Sequence, residues 1–251
     1  MTRIPTAPGA KGPRIDRDAV LSFFEQRAGK VGELGPLRAV IYQDKHPDLA
    51  ERRDAAEKTL IRPLLELSGT QRLIDIGCGT GRWVDEIAAD CGFYLGIDAS
   101  PSLIAHARRL HVSRENCAFS VASADELTLD ILGQQQPFDR ILCAGIAIYL
   151  NDDELDRMLA GFAHIGAASA RILMREPMGI GERLTIRDHY SDDLEQTYNA
   201  IYRTEGEVID AMSPLFAQGF AVTGSGDVYA DASLNNRPET RQRWLTLERF
   251  A

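Results

Sequence analysis

From residue 70 onward the 251-residue chain keeps changing its hydrophobic period, and this alternation constrains the fold more than any other feature. "RLIDIG" is a short apolar run of strand length, and "RWVDEIAADC" then places Trp83, Ile87 and Cys91 at i, i+4 and i+8, the stripe of a helix laid on a sheet. "FYLGID" is a second strand, followed by "SPSLIAHARRL", in which Ser100 suits the cap and Pro101 the first turn of a helix. "CAFSVASA" and "FDRILCAGIAIYL" read as the third and fourth strands, "DDELDRMLAGFAHI" as a helix carrying Leu155, Leu159 and Phe162, and "ARILMRE" as the fifth strand. Strands that alternate with helices are joined by right-handed crossovers, so the expectation is an α/β, doubly wound and mostly parallel sheet.

The remaining segments flank that body. Residues 1–16, rich in Pro and Gly, are expected to be a flexible tail without the apolar stretch of a signal peptide, and residues 17–69 an N-terminal helical region. There "RDAVLSFFEQRA" is helical, Gly32, Gly35 and Pro36 mark a linker, and "PDLAERRDAAEKTLIRPLLELSG" is a long helix bent by Pro63. Its segment "ERRDAAEK" reads as a charged helix face. A polar insertion is expected at about 177–204, then a helix, then "FAVTGSGDVY" and "RQRWLTLERF" as the closing strands. A segment that long inside a compact domain points to function.

Charge narrows the partners. With 28 Lys and Arg against 37 Asp and Glu, the formal net charge is −9, which repels a phosphate backbone and favours small molecules over nucleic acid. The four cysteines, Cys78, Cys91, Cys117 and Cys143, form no CxxC pair, so the expectation is a reducing cytoplasm and no metal. No apolar run is long enough for a membrane span.

The loop behind the first of these strands carries the chemistry. "LIDIGCGTGRW" sets Gly77, Gly79 and Gly81 at every second position behind Asp75, where a backbone without Cβ can turn tightly and lie against a ligand. A dinucleotide fingerprint G-x-G-x-x-G needs glycine at 82, where this chain has Arg82. The second strand ends in Asp98, 21 residues after Gly77, where a carboxylate can accept both hydroxyls of a ribose; a strand-end turn would use the same residue. "SADEL" places Asp125 after the third strand, as a ligand carboxylate or as a turn cap.

The D-x-G-x-G-x-G reading of Asp75, Gly77, Gly79 and Gly81, together with Asp98 and Asp125, resembles the class I (Rossmann-like) S-adenosylmethionine-dependent methyltransferases. The resemblance is specific over roughly residues 70–175 and implies a seven-stranded sheet of order 3-2-1-4-5-7-6, last strand antiparallel, with residues 17–69 as a lid and 70–251 as the cofactor-binding domain. It implies S-adenosyl-L-methionine as cofactor, with Asp75, Gly77, Cys78, Gly79 and Gly81 around the methionine moiety. Asp98, Ala99, Ser100 and Leu103 would border the adenosine, and Ala124, Asp125 and Ala144 complete the set. Asp125 would accept the adenine amino group. Arg82 would reach the methionine carboxylate, as an arginine does in protein α-N-terminal methyltransferases, or stand solvated in the first helical turn.

Methyl transfer to oxygen or protonated nitrogen needs a base. Candidates are Glu176 after the fifth strand, His189 in the insertion and Tyr149 after the fourth strand, although a turn carboxylate, a loop histidine and a core-edge aromatic would look the same. Tyr42, His46, Tyr190, Tyr198 and Tyr202 are the candidate acceptor-binding residues, while His106, His111 and His164 suit helix surfaces. The expected acceptor is a small molecule, of natural-product or sugar-like kind, handled by a monomer or homodimer. The rivals are a protein or peptide amino group as acceptor and a non-catalytic cofactor-binding protein.

Overall fold

Why the central strands form is visible in their burial. In β2 (Arg72–Ile76) both Leu73 and Ile74 are fully buried although neighbouring strand residues point to opposite faces, so both faces of the sheet are covered. Leu73 packs with Trp83, Ile87, Ile61 and Leu65 on one side, and Ile74 with Leu159, Phe162 and Ile172 on the other. Burying each such side chain contributes about 1.5–3 kcal/mol. The computed structural model describes residues 2–7, 9–41, 45–192, 194–235 and 237–250.

The main sheet has seven strands. Besides β2 they are β3 (Phe93–Asp98), β4 (Cys117–Val121), β5 (Phe138–Ala144), β6 (Gly166–Gly179), β9 (Ala221–Asp227) and β10 (Thr240–Arg249), in the order β4-β3-β2-β5-β6-β10-β9. Counting within this sheet alone, that is 3-2-1-4-5-7-6, and β10 runs antiparallel to both neighbours, as expected. The chain reverses its winding direction between β2 and β5, and a ligand crevice opens at such a switch point, beyond the strands' carboxyl ends.

The helices bear out the alternation and correct its limits. Pro101–Leu110 (α5) is capped by the Ser100 hydroxyl, which accepts from Leu103 N–H at 3.1 Å, and Asp152–Ile165 (α6) begins on a capping box of Asn151 and Glu154. The helix expected after the glycine loop is only one turn, Val84–Ile87 (α4), continued as a 3₁₀ turn over Ala88–Asp90. Two short helices, Glu205–Ala211 (α7) and Ser213–Phe216 (α8), lead into β9.

Larger differences lie at the amino terminus and in the insertion. Residues 2–6, expected as part of a flexible tail, form strand β1 (Thr2–Thr6), which pairs antiparallel with β7 (Arg183–Ser191); β7 pairs in turn with β8 (Gln196–Tyr202). The insertion is therefore the end of β6 and a hairpin of a second, three-stranded sheet. Leu184, Ile186, Tyr198, Ala200 and Tyr202 bury its inner face against Phe23 of helix α1 (Arg17–Gly29). The expected linker at Gly32, Gly35 and Pro36 is helix α2 (Val31–Ile41), kinked where Gly35 takes φ +81°. Helix α3 (Pro47–Leu64) has Pro63 in its last turn, where the ring marks the helix end and bends nothing.

Candidate active site

Three left-handed glycines build the loop between β2 and α4. Gly77, Gly79 and Gly81 have φ of +70°, +57° and +82°, a region that side chains with Cβ strongly disfavour. At Gly77 a Cβ would lie 2.0 Å from Cδ1 of Ile146, so the loops after β2 and β5 are in direct contact. Gly81 is shaped by packing too: a Cβ there would meet the His111 ring at 2.7 Å.

Asp98 ties this loop to the next. Its Oδ2 accepts from the Gly79 N–H at 3.0 Å and its Oδ1 from the Ser100 N–H at 2.8 Å. Burial pushes its carboxyl up to about 6 against these two donors. A carboxylate has about four lone-pair sites, so two remain for a ligand's hydroxyls. Asp75 is also buried and raised to about 6, and its Oδ2 accepts from Tyr94 Oη at 2.6 Å.

Above these strand ends lies one cavity of about 660 Å³, within the range of small-ligand and cofactor sites. Of the expected cofactor residues, Asp75, Gly77, Cys78, Gly79, Arg82 and Asp98 line it, as do Ala99, Ser100, Leu103, Ala124 and Ala144. Helix α1 covers the Asp98 end: Glu25 accepts from the hydroxyls of Ser100 and Ser102, and Arg17 also lines the cavity. Opposite, the second sheet contributes Tyr198 and Tyr202, with Tyr149 edge-on to Phe24 at 5.0 Å. His46, the residue preceding α3, completes the expected residues found on its wall.

Several expected residues stand elsewhere. Asp125 does not line the cavity: Arg17 reaches its two oxygens at 2.8 and 2.9 Å, and Arg157 adds a bond at 2.7 Å. Burial alone would raise this carboxyl, but these arginines and the Ser123 hydroxyl hold it well below the carboxylate range, leaving little capacity for an adenine amino group. Glu176 is buried away from the cavity, and its Oε1 accepts the N–H groups of Gly145, Ile146 and Ala147 at 3.1, 2.9 and 3.1 Å. These bonds hold the loop that sets Ile146 against Gly77, and the carboxyl expected as a base does not line the cavity. His189 lies behind the wall, edge-on to the Tyr198 ring at 5.4 Å, and Tyr190 is 57% exposed on the outer face; neither lines the cavity. Gly81 is likewise outside it, and Tyr42 falls outside the described residues.

Helix α3 holds what the sequence reading missed. Three residues of its "charged face", Arg53, Asp54 and Glu57, are buried: Arg82 forks onto Asp54 at 2.8 Å and Glu57 at 2.6 Å, and Glu57 also takes Arg175. Burial would raise Glu57, yet the attraction of Arg175 and Arg82 outweighs it and keeps the carboxyl below its ordinary value. Arg82 thus lines the cavity with its charge compensated, rather than lying solvated. Asp54 and Glu57, three residues apart on one helix face, were the available signal. Arg53, Tyr229, Arg237 and Gln242, also on the wall, carried none.

Comparison with known proteins agrees with this geometry. Residues 73–166 match a family described as a methyltransferase domain. Phosphoethanolamine N-methyltransferase 1 of Zea mays is 22% identical over 190 residues, 76% of this chain and 34% of that protein. The structure of Haemonchus contortus phosphoethanolamine N-methyltransferase 1, in complex with phosphoethanolamine and S-adenosylhomocysteine, superposes with TM-score 0.72 at 18% identity, covering 94% of this chain and 49% of that one. The chain therefore spans about a third to a half of the length of these two proteins. Magnesium protoporphyrin IX methyltransferase of Synechocystis, with bound S-adenosylmethionine, matches over 96% of this chain and all of that one, with TM-score 0.57 and 15% identity. Residues 73–166 thus match a methyltransferase domain, and the strand order and glycine loop give the chain the fold of the S-adenosylmethionine-dependent methyltransferase structures it superposes on.

Proposed function

We propose that the protein transfers a methyl group from S-adenosylmethionine to an oxygen or nitrogen of a small-molecule acceptor. The observation that carries this reading is that one continuous cavity joins the Asp98 end, under α1, to an aromatic end under the second sheet. The residues fit the cofactor: Gly77 and Gly79 keep the backbone of the loop bare where it lines the cavity, a Cβ meeting Ile146 at 2.0 Å at the first and Val40 of α2 at 3.0 Å at the second, and Asp98 keeps two acceptor sites free after its two backbone bonds. Asp98 would hold the ribose, Ala99, Leu103 and Ala124 the adenine faces, and Asp75 with the glycine loop the amino-acid end. When bound, the cofactor supplies an electrophilic methyl group through its sulfonium.

The chain's own residues then orient the acceptor and exclude water, which is worth on the order of 7–11 kcal/mol in methyl-transfer geometry. Tyr149, Tyr198 and Tyr202 make an aromatic wall for the acceptor, and Glu176 fixes the loop opposite. His46 and Tyr149 are the wall residues suited to taking a proton from it. A cavity of about 660 Å³ has room for a small acceptor beside the cofactor, and the net charge of −9 supports a small molecule over nucleic acid. Among the described residues no helix is long and apolar enough to cross a membrane, and four unpaired cysteines, three of them buried, suit a cytoplasmic location.

The test is turnover. Purified protein incubated with methyl-labelled S-adenosylmethionine and a library of small hydroxy and amino compounds should release S-adenosylhomocysteine with label in one compound class. Label transferred only to protein or peptide substrates would replace the acceptor assignment, and tight cofactor binding without transfer to any substrate would leave a binding protein.

A further inference from the structure

The cavity wall carries more positive charge than its carboxylates compensate. Asp54 and Glu57 account for Arg82 and Arg175, but Arg53 and Arg237 make no ion pair among the described residues. Arg53 is 5% exposed; its Nε donates to Leu234 O at 2.7 Å and its Nη2 to Asn235 O at 3.3 Å, which points the guanidinium at the β9–β10 connection and leaves Nη1 without a partner among the described residues. Arg237, in that same connection, has its guanidinium 5.5 Å from the Tyr198 ring centre and 5.9 Å from that of Tyr202. Three more polar atoms of wall residues lack partners among the described residues: Tyr198 Oη, Arg175 Nε and Gln242 Oε1, on side chains that are themselves mostly buried.

A buried guanidinium N–H without an acceptor is costly, because it has left water without replacement. In a protein of net charge −9, one such buried cation, Arg53, together with the half-buried Arg237 at the same end of a cavity is not a general surface feature. A carboxylate or phosphate oxygen satisfies Arg53 and Arg237 in the charge-assisted geometry that guanidinium favours. Both arginines are tied to the β9–β10 connection and to the second sheet, the aromatic end of the cavity, whereas Asp98 marks the other end.

We propose that this end of the cavity is an anion site for the acceptor: the molecule to be methylated carries a carboxylate or phosphate, held by Arg53 and Arg237 with Tyr198 and Arg175 as further donors. The unpartnered Gln242 Oε1 takes a hydroxyl or amino hydrogen of the same molecule. The inference rests on the methyl-transfer reading and specifies its substrate class. The cofactor's own carboxylate is the rival source of the same chemistry.

Calorimetry on the S-adenosylhomocysteine-loaded protein separates these. The probes are inorganic phosphate and two matched pairs, phosphoethanolamine with ethanolamine and benzoate with benzamide. At least one anionic probe should bind while its neutral partner does not, and Arg53→Gln and Arg237→Gln should each weaken that binding by roughly 10- to 100-fold with S-adenosylhomocysteine affinity held within about threefold. Arg237→Gln removes only ring contacts, so it carries the test if Arg53→Gln fails to fold. Neutral probes binding as well as anionic ones, no anion binding at millimolar concentration, or unchanged anion binding in Arg237→Gln would overturn the site. Loss of S-adenosylhomocysteine affinity in the variants would assign the arginines to the cofactor instead. Failure of the native protein to bind S-adenosylhomocysteine at all would sink the methyl-transfer reading beneath it.

Discussion

Replacing Glu176 by glutamine and by alanine distinguishes a loop-holding carboxylate from a catalytic base. One oxygen, Oε1, accepts all three N–H groups of residues 145–147, and the other, Oε2, has no partner among the described residues. Glutamine keeps a carbonyl for those donors, so Glu176→Gln should lie within about 1 kcal/mol of the native stability. Alanine leaves three buried donors unsatisfied at about 1–3 kcal/mol each before relaxation, so a loss of roughly 3–5 kcal/mol is expected. The loop freed in this way no longer presses Ile146 against Gly77, and S-adenosylhomocysteine affinity should fall with stability.

The pH dependence supplies an independent check. Burial raises this carboxyl to about 7. The folded state therefore holds a proton that the unfolded state releases near pH 4–5, and the associated stability, roughly 3 kcal/mol at full extent, is present at low pH and lost as pH rises through 7. Glu176→Gln should abolish that part of the slope. Urea unfolding of the three proteins between pH 5 and 8, with calorimetric affinities, reads both effects. Glutamine folding normally but losing methyl transfer 100-fold would make Glu176 the base after all, and an alanine variant of native stability would refute the hydrogen-bond reasoning.

Two further outcomes follow from the glycine loop and Asp98. Gly77→Ala places a Cβ 2.0 Å from Ile146 Cδ1 at φ +70°, so it should lose about 2–4 kcal/mol of stability and most cofactor affinity; thermal unfolding and calorimetry check this. Asp98, raised to about 6, must be ionised to accept hydroxyls, so S-adenosylhomocysteine affinity should be constant above pH 7 and fall roughly tenfold per unit well below 6, measured by titrations across pH 5–8. The free protein shows the opposite sign in its stability, since the protonated Asp98 favours the fold until pH rises through 6.

How much was legible in the sequence differs by residue, for physical reasons. Buried parallel strands appear as local apolar runs, so β2 to β6 and their parallel arrangement followed from periodicity and connection rules, while their order came from the family resemblance. Strand β1 did not, because Thr2–Thr6 pairs with a partner some 180 residues away, and no local pattern encodes such a pairing. The three glycines and Asp98 could be read because their backbone demands are local. Glu176 failed by strand parity: on β6 Arg175 faces the cavity and the next residue turns away, so the right segment carried the wrong side chain. Asp125 failed because its arginine partners come from α1 and α6, and Asp54 and Glu57 were missed because buried ion pairs look like a solvated face.

Direct titration of S-adenosylhomocysteine into the native protein and the Asp98→Ala variant at pH 7.5 tests the central assignment, cofactor binding at the glycine loop and Asp98. The account predicts one site in the native chain, with affinity reduced by about 10- to 100-fold in the variant through loss of charge-assisted hydrogen bonds. No binding to the native chain, or equal affinity in a folded variant, would contradict it.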